Sequence, residues 1–155
     1  MSLFSRKRKE KQQNDRREDR QDKELPLKYH LNGIQGKGKK ADQLDSWATV
    51  NDGDNSLAKE YGLMAIVVDG SCGREDAKAA GEEAVKTMVD CFERMDCTSE
   101  IPPQMQEAAG QVNRELFRRF GGEAAVSLTA CMLFQNSLFY ANGGSCSLFL
   151  MGIRY

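Results

Sequence analysis

The chain reads as an α+β domain built on antiparallel strands. Three observations carry that reading. The first is an unbroken apolar run, Leu63–Val68, rich in β-branched residues and closed by Asp69-Gly70. The second is a pair of amphipathic stretches in the middle of the chain, over 75–95 and about 102–120. The third is a series of short apolar segments at the end, separated by Gln135-Asn136 and Gly143-Gly144. Tight turns between neighbouring strands impose antiparallel pairing. Helices grouped in the middle, rather than alternating with strands, give an α+β class.

The elements follow in order. A Gly/Lys-rich stretch, Gly33-Ile-Gln-Gly-Lys-Gly-Lys-Lys40, leads into Asp42-Gln-Leu-Asp-Ser46 and a strand at Trp47–Val50. Asn51-Asp-Gly-Asp-Asn-Ser56 has the composition of a turn. The buried strand at 62–68 comes next. In the first helix Ala77, Ala80, Ala84, Val85, Met88, Val89, Phe92 and Met95 recur at three and four, and Glu82, Glu83, Lys86, Asp90 and Glu93 face water. Pro102-Pro103 opens the second helix, whose apolar face is Met105, Ala108, Ala109, Val112, Leu116 and Phe120, and Gly121-Gly122 ends it. Strands are expected at 124–134, 137–142 and 146–151. Trp47 is expected in the core, and His30, the single histidine, in a strand.

The 155 residues suffice for one domain with its own core. The net charge of −1 conceals an asymmetry. Residues 1–28 hold ten Lys/Arg against six Asp/Glu, a net of +4, and the remaining residues hold twelve against seventeen, a net of −5. The segment 1–28 lacks the apolar content for a core and reads as a charged, disordered arm. Its basic residues serve as a solubilising tail or as a contact for an acidic partner, a lipid headgroup or nucleic acid. The domain proper, 29–155, is acidic, which argues against a general nucleic-acid surface. No apolar stretch is long enough to span a membrane. Met-Ser-Leu-Phe running straight into Arg6-Lys-Arg-Lys9 does not read as a signal peptide. Five cysteines (72, 91, 97, 131 and 146), with no Cys-x-x-Cys, suit free thiols in a reducing, cytoplasmic setting.

Asp69 is the residue with the clearest chemical potential. A carboxylate at the end of a buried strand is held at the rim of the core by a rigid element. Gly70 and Gly73 let the backbone turn sharply and approach whatever the carboxylate binds. That suits a metal or phosphate site, although an ordinary Asp-Gly turn gives the same local string.

Four segments in order give the chain a resemblance. Asp-Gly-x-x-Gly after an apolar strand precedes a helix with Ala80-Gly-Glu-Glu-Ala84. Gly121-Gly-Glu-Ala-Ala125 opens a long strand. Tyr140-Ala-Asn-Gly-Gly-Ser145 closes the next. The Gly/Lys stretch running into Asp42-Gln-Leu-Asp45-Ser46 completes the set. Over about residues 30 to 155 this resembles the metal-dependent serine/threonine protein phosphatases of type 2C. The resemblance implies a β-sandwich flanked by helices and two Mn²⁺ or Mg²⁺ ions that bridge and activate a water for attack on phosphorus. It implies Asp69 as the bridging ligand, the Gly70 carbonyl beside it and Asp45 from the early acidic motif. Lys40 stands where the family often places a phosphate-holding arginine. A lysine there supplies charge without a bidentate fork.

Departures from the pattern qualify the activity. Leu44 stands at the other early carboxylate in an ungapped alignment, and a one-residue insertion brings Asp42 to that position instead. Ser145 replaces the usual aspartate of the Gly-Asp-Ser motif. Ser71-Cys72 alter the glycine-rich loop, and the connection from Gly73 to Gly81 is longer than the family norm. Two further metal-binding aspartates of the family have no counterpart before Tyr155, so the domain is expected to be incomplete, with unpaired strand edges open to self-association. The expected function is metal-dependent hydrolysis of phosphoserine or phosphothreonine in the complete protein, with this chain by itself inactive. The alternative is a non-catalytic binding or regulatory module. The partners are correspondingly a phosphoprotein substrate or a regulatory protein. Cys72 and Cys146 would lie near the same site, where they form a redox pair, bind a soft metal or simply fill tight loops.

Overall fold

The computed structural model describes residues 29–39, 41–70 and 76–152. The arm 1–28, Lys40, Ser71, Cys72 and Gly73 lie outside the described residues, as do the roles expected of them. The class is α+β as expected: the described residues form one four-stranded antiparallel sheet and three helices. The sheet is a meander in the order β1 (Asp45–Val50), β2 (Leu63–Asp69), β3 (Ser127–Phe134), β4 (Ser137–Gly143). Helices α2 (Ala77–Phe92) and α3 (Ile101–Phe120) are inserted between β2 and β3.

Alternation in β2 explains the layering. Met64, Ile66 and Val68 are fully buried, while Val67 between them is 52% exposed. Their cross-strand partners Met132, Ala130 and Leu128 are buried on the same face. That face packs on Ala80, Ala84, Met88, Met105, Ala108, Val112 and Leu116 of the two long helices in one continuous core. Small residues in α2 bring its axis close to the sheet, and methionines fill the irregular gaps between layers. The other face, through Trp47, Thr49, Ala65, Val67, Cys131 and Tyr140, carries no covering helix or strand among the described residues. The described architecture is thus two-layered, one sheet with helices on one side.

Local chemistry sets the element ends. Pro102 and Pro103 sit in the first turn of α3, where a missing N–H costs no helix bond. Gly121 closes that helix in the left-handed conformation (φ 65°), with its N–H on the Phe117 carbonyl at 2.9 Å. Gln135 and Asn136 both have positive φ (48° and 61°), the two-residue hairpin turn whose twist matches the flanking strands.

Several assignments differ from the sequence reading, among them the start of β1 at Asp45, two residues before Trp47. The turn-like string 51–56 contains the start of a short helix, α1 (Asn55–Tyr61), capped by Asp54, whose carboxylate accepts the N–H groups of Ser56 (2.8 Å) and Leu57 (3.1 Å). Asp and Asn serve turns and N-caps by the same side-chain acceptance, so composition alone does not separate the two. Residues 124–126 precede β3 without pairing, though Ala124 and Val126 still pack on the core. Residues 146–151 form no strand, and Phe149, Leu150 and Met151 are exposed. His30 is exposed and lies outside any regular element. Trp47, expected in the core, projects from the opposite face and is 43% exposed. Its parity in β1 sets this, because Ser46, Ala48 and Val50 pair with the buried Val68, Ile66 and Met64.

Candidate functional site

Strand register brings the dispersed motifs to one end of the sheet. Asp45, the first residue of β1, pairs with Asp69, the last of β2. Asp69 in turn pairs with Ser127, the first of β3. Residues directly opposite on one face hold their Cβ atoms about 4.5–5.5 Å apart, a separation across which two carboxylates reach a shared cation. Both aspartates are half-buried at the rim of the uncovered face. Gln43 donates from Nε2 to Asp45 Oδ2 at 3.4 Å.

The Tyr140–Ser145 motif closes the fourth side. Gly144 takes a positive φ (87°), and a Cβ there would come within 2.5 Å of Ser127 Oγ. The turn so made sets the Ser145 N–H on Ser127 Oγ at 3.0 Å, with the two hydroxyls also 3.0 Å apart. Asn142 braces it from below, donating to Thr129 Oγ1 (2.5 Å) and to the Cys146 carbonyl (2.7 Å). Cys146 follows directly. Burial raises its thiol pKa, a backbone hydrogen bond at Asp69 works against that, and the negative fields of Asp69 and Asp45 add to the rise. The thiol therefore stands in the field of both carboxylates.

The glycines of the first two motifs act through close approach. A Cβ on Gly70 would stand 2.5 Å from the Ala77 carbonyl oxygen and 2.8 Å from that of Leu44. One on Gly81 would stand 3.3 Å from Ser46 Oγ and 3.4 Å from the Leu44 carbonyl. Gly70 does not use the left-handed region, so the sharp turn expected of it is not what requires glycine. What requires it is the seating of α2's first turn against the entry to β1, which fixes Asp69 relative to Asp45.

Asp42 sits on an exposed bend before β1. Among the described residues, no three His, Cys, Asp or Glu side chains converge as a metal-binding group. Asp45 and Asp69 supply two carboxylates in register, hard oxygen donors in kind but too few for a two-metal cage. Ser127, Asn142 and Gln43 were not singled out by sequence. Alternation along 124–134 marks Ser127 as a residue of the uncovered face, but only the register sets it beside Asp69.

A groove of about 560 Å³ runs from this end along the uncovered face. Its floor includes Trp47, Thr49 and Val67, Asp45 and Asp69 stand at one end, and residues 31–36 form a wall. Gly33 lies so close to the Trp47 ring that a Cβ there would come within 2.9 Å of three ring carbons. Gly33 therefore lies against the indole, which stays 43% exposed.

Compared with protein-family models, with curated proteins and with solved structures, the chain gives no match.

Proposed function

We propose that the chain is a type 2C-like phosphatase domain whose Asp45–Asp69 pair binds a single divalent cation, Mn²⁺ or Mg²⁺. The observation that supports this reading is the Asp45–Asp69–Ser127–Ser145 series. Residues from all but the 121–125 segment of the resemblance, far apart in sequence, meet at one sheet end. The antiparallel meander by itself brings those four strand ends together; what favours a cation is that the two residues in direct register there are both carboxylates. Such a cation, when bound, supplies positive charge against a phosphate and acidifies its bound water. Asp45 and Asp69 hold and orient it, Gln43 steadies the Asp45 carboxylate, and Ser127 and Ser145 offer hydroxyls beside it.

Two carboxylates are too few to hold two hard cations against water, so we propose that hydrolysis of phosphoserine or phosphothreonine requires acidic ligands beyond the described residues. The finer sandwich architecture belongs to the same proposal: a second sheet from beyond the described residues would pack over the β3–β4 half of the uncovered face, clear of the groove. The non-catalytic reading is favoured by Leu44 and Ser145, which stand where the pattern has carboxylates.

Thermal melting of the full chain with EDTA, Mg²⁺ or Mn²⁺ tests the cation site. A rise in melting temperature with either metal that disappears in Asp69→Asn supports it, and the same rise in that variant removes it. Release of phosphate from a phosphoserine peptide in the same buffers separates the two readings. Metal-dependent turnover by this chain supports the enzyme, and metal binding without turnover supports the module.

A further inference from the structure

We infer that the basic run near the start of the chain, Arg6-Lys-Arg-Lys9 with Leu3-Phe4 before it, docks in cis into the groove beside Trp47 and competes with cations for Asp45 and Asp69. The groove pairs two kinds of surface. Trp47 and Val67 present apolar area, 43% and 52% exposed, and two carboxylates stand at one end. An occupant that satisfies both needs an apolar end followed closely by several cations. Leu3-Phe4-Ser5-Arg6-Lys7-Arg8-Lys9 has that order.

Charge and position both favour this segment. Residues 1–28 carry a net of +4 and the rest of the chain −5. The arm also joins the described chain at the groove itself, since residues 31–36 form its wall. About twenty residues separate the basic run from Tyr29. A flexible chain of that length has a root-mean-square reach of roughly 25 Å, about the span of the sheet face. A tethered segment of this kind acts at an effective concentration on the order of millimolar, enough for a weak electrostatic contact to be populated. Arginine or lysine over the indole adds a cation–π contribution. Docking of this kind is a built-in brake on the carboxylate pair, released by whatever competes for the basic run.

The test uses the full chain in EDTA, so it does not depend on whether the pair binds metal. Trp47 is the single tryptophan and reports on the groove directly. Trypsin cleavage after Arg6–Lys9, followed by mass spectrometry, reports on the arm. At about 10 mM salt the arm is expected to be cut about fivefold or more slowly than at about 1 M, because cleavage tracks the undocked population and salt screens the contact. Asp45→Asn with Asp69→Asn should abolish that protection and shift Trp47 emission to the red. Replacing Arg6, Lys7, Arg8 and Lys9 together by glutamate should give the same red shift in a chain whose folded domain is untouched. Cleavage and emission that ignore salt and both sets of substitutions overturn the proposal. So does protection that grows with protein concentration, which would mean exchange of arms between copies.

Discussion

Asp45 and Asp69 are direct cross-strand partners at the end of the β1–β2 ladder, on the face that no helix among the described residues covers. Two like charges in that relation repel, by roughly 0.2–1 kcal/mol for a directly opposed pair. In EDTA at low salt, with Arg6, Lys7, Arg8 and Lys9 replaced by alanine so that no arm docks on the pair, Asp69→Asn should therefore raise stability slightly, by about 1–3 °C in melting temperature for a chain of this size. High salt should erase the gain. A loss of several degrees would mean that the Asp69 carboxylate makes interactions worth more than the repulsion. The repulsion reading would then be abandoned.

Gly70 carries the packing of α2 on the sheet end. Alanine there drives a methyl into the carbonyls of Ala77 and Leu44, neither of which is a flexible side-chain tip. Gly70→Ala should cost about 2–3 kcal/mol in urea unfolding, in the range of overpacked cores. Gly36 has nothing within 4 Å of a built Cβ and no positive φ, so Gly36→Ala should stay within about 0.5 kcal/mol of the wild type. Equal effects at the two positions would remove the steric account of the motif.

The Cys146 thiol reports on the same carboxylates by chemistry. Burial raises its pKa first, and the fields of Asp69 and Asp45 raise it further. Neutralising either aspartate lowers the thiol pKa, so the thiolate fraction at pH 8 rises and alkylation accelerates. Iodoacetamide labelling followed by peptide mass spectrometry should show faster reaction at Cys146 in Asp45→Asn and Asp69→Asn. Cys91 and Cys131 should be unaffected, because burial dominates their shifts and neither aspartate contributes to them. Unchanged labelling at Cys146 in both variants would place the thiol outside their field.

The same residues show how far the sequence could be read. The run Leu63–Val68 announced its strand because length and β-branching leave few alternatives, and Gln135-Asn136 announced its hairpin. Convergence of Asp45 and Asp69 is foreseeable only through a resemblance, and that of Ser127 not at all, because register is a property of strand pairs and not of any one string. Trp47 was misplaced for a related reason. A six-residue strand with intermediate burial on both faces carries no strong alternation, so its inward side is decided by the partner β2. Helix α1 was missed because seven residues span two turns, too few for periodicity to outweigh a turn-like composition. The 146–151 segment has strand-like residues, yet a strand also needs a neighbouring edge to pair with, and composition does not supply one.

Adjacent residues of β2 give the sharpest test of the two-layer architecture. Ile66 is 1% exposed and meets the helices, whereas Val67, one residue later, is 52% exposed on the opposite face. Ile66→Ala removes buried methyl and methylene groups from a closed core and should cost about 2–5 kcal/mol. Val67→Ala removes two methyl groups that already face the groove. Only the partial burial is lost, so the cost should be about 1 kcal/mol or less at the 25 cal/mol/Å² appropriate to apolar area. Urea unfolding of the two variants, with slopes compared so that changes in the denatured state are separated from changes in stability, reads the difference. A Val67→Ala cost as large as that of Ile66→Ala would show that the second face is covered in solution. The sheet would then be the middle layer of the molecule and not one of two outer layers.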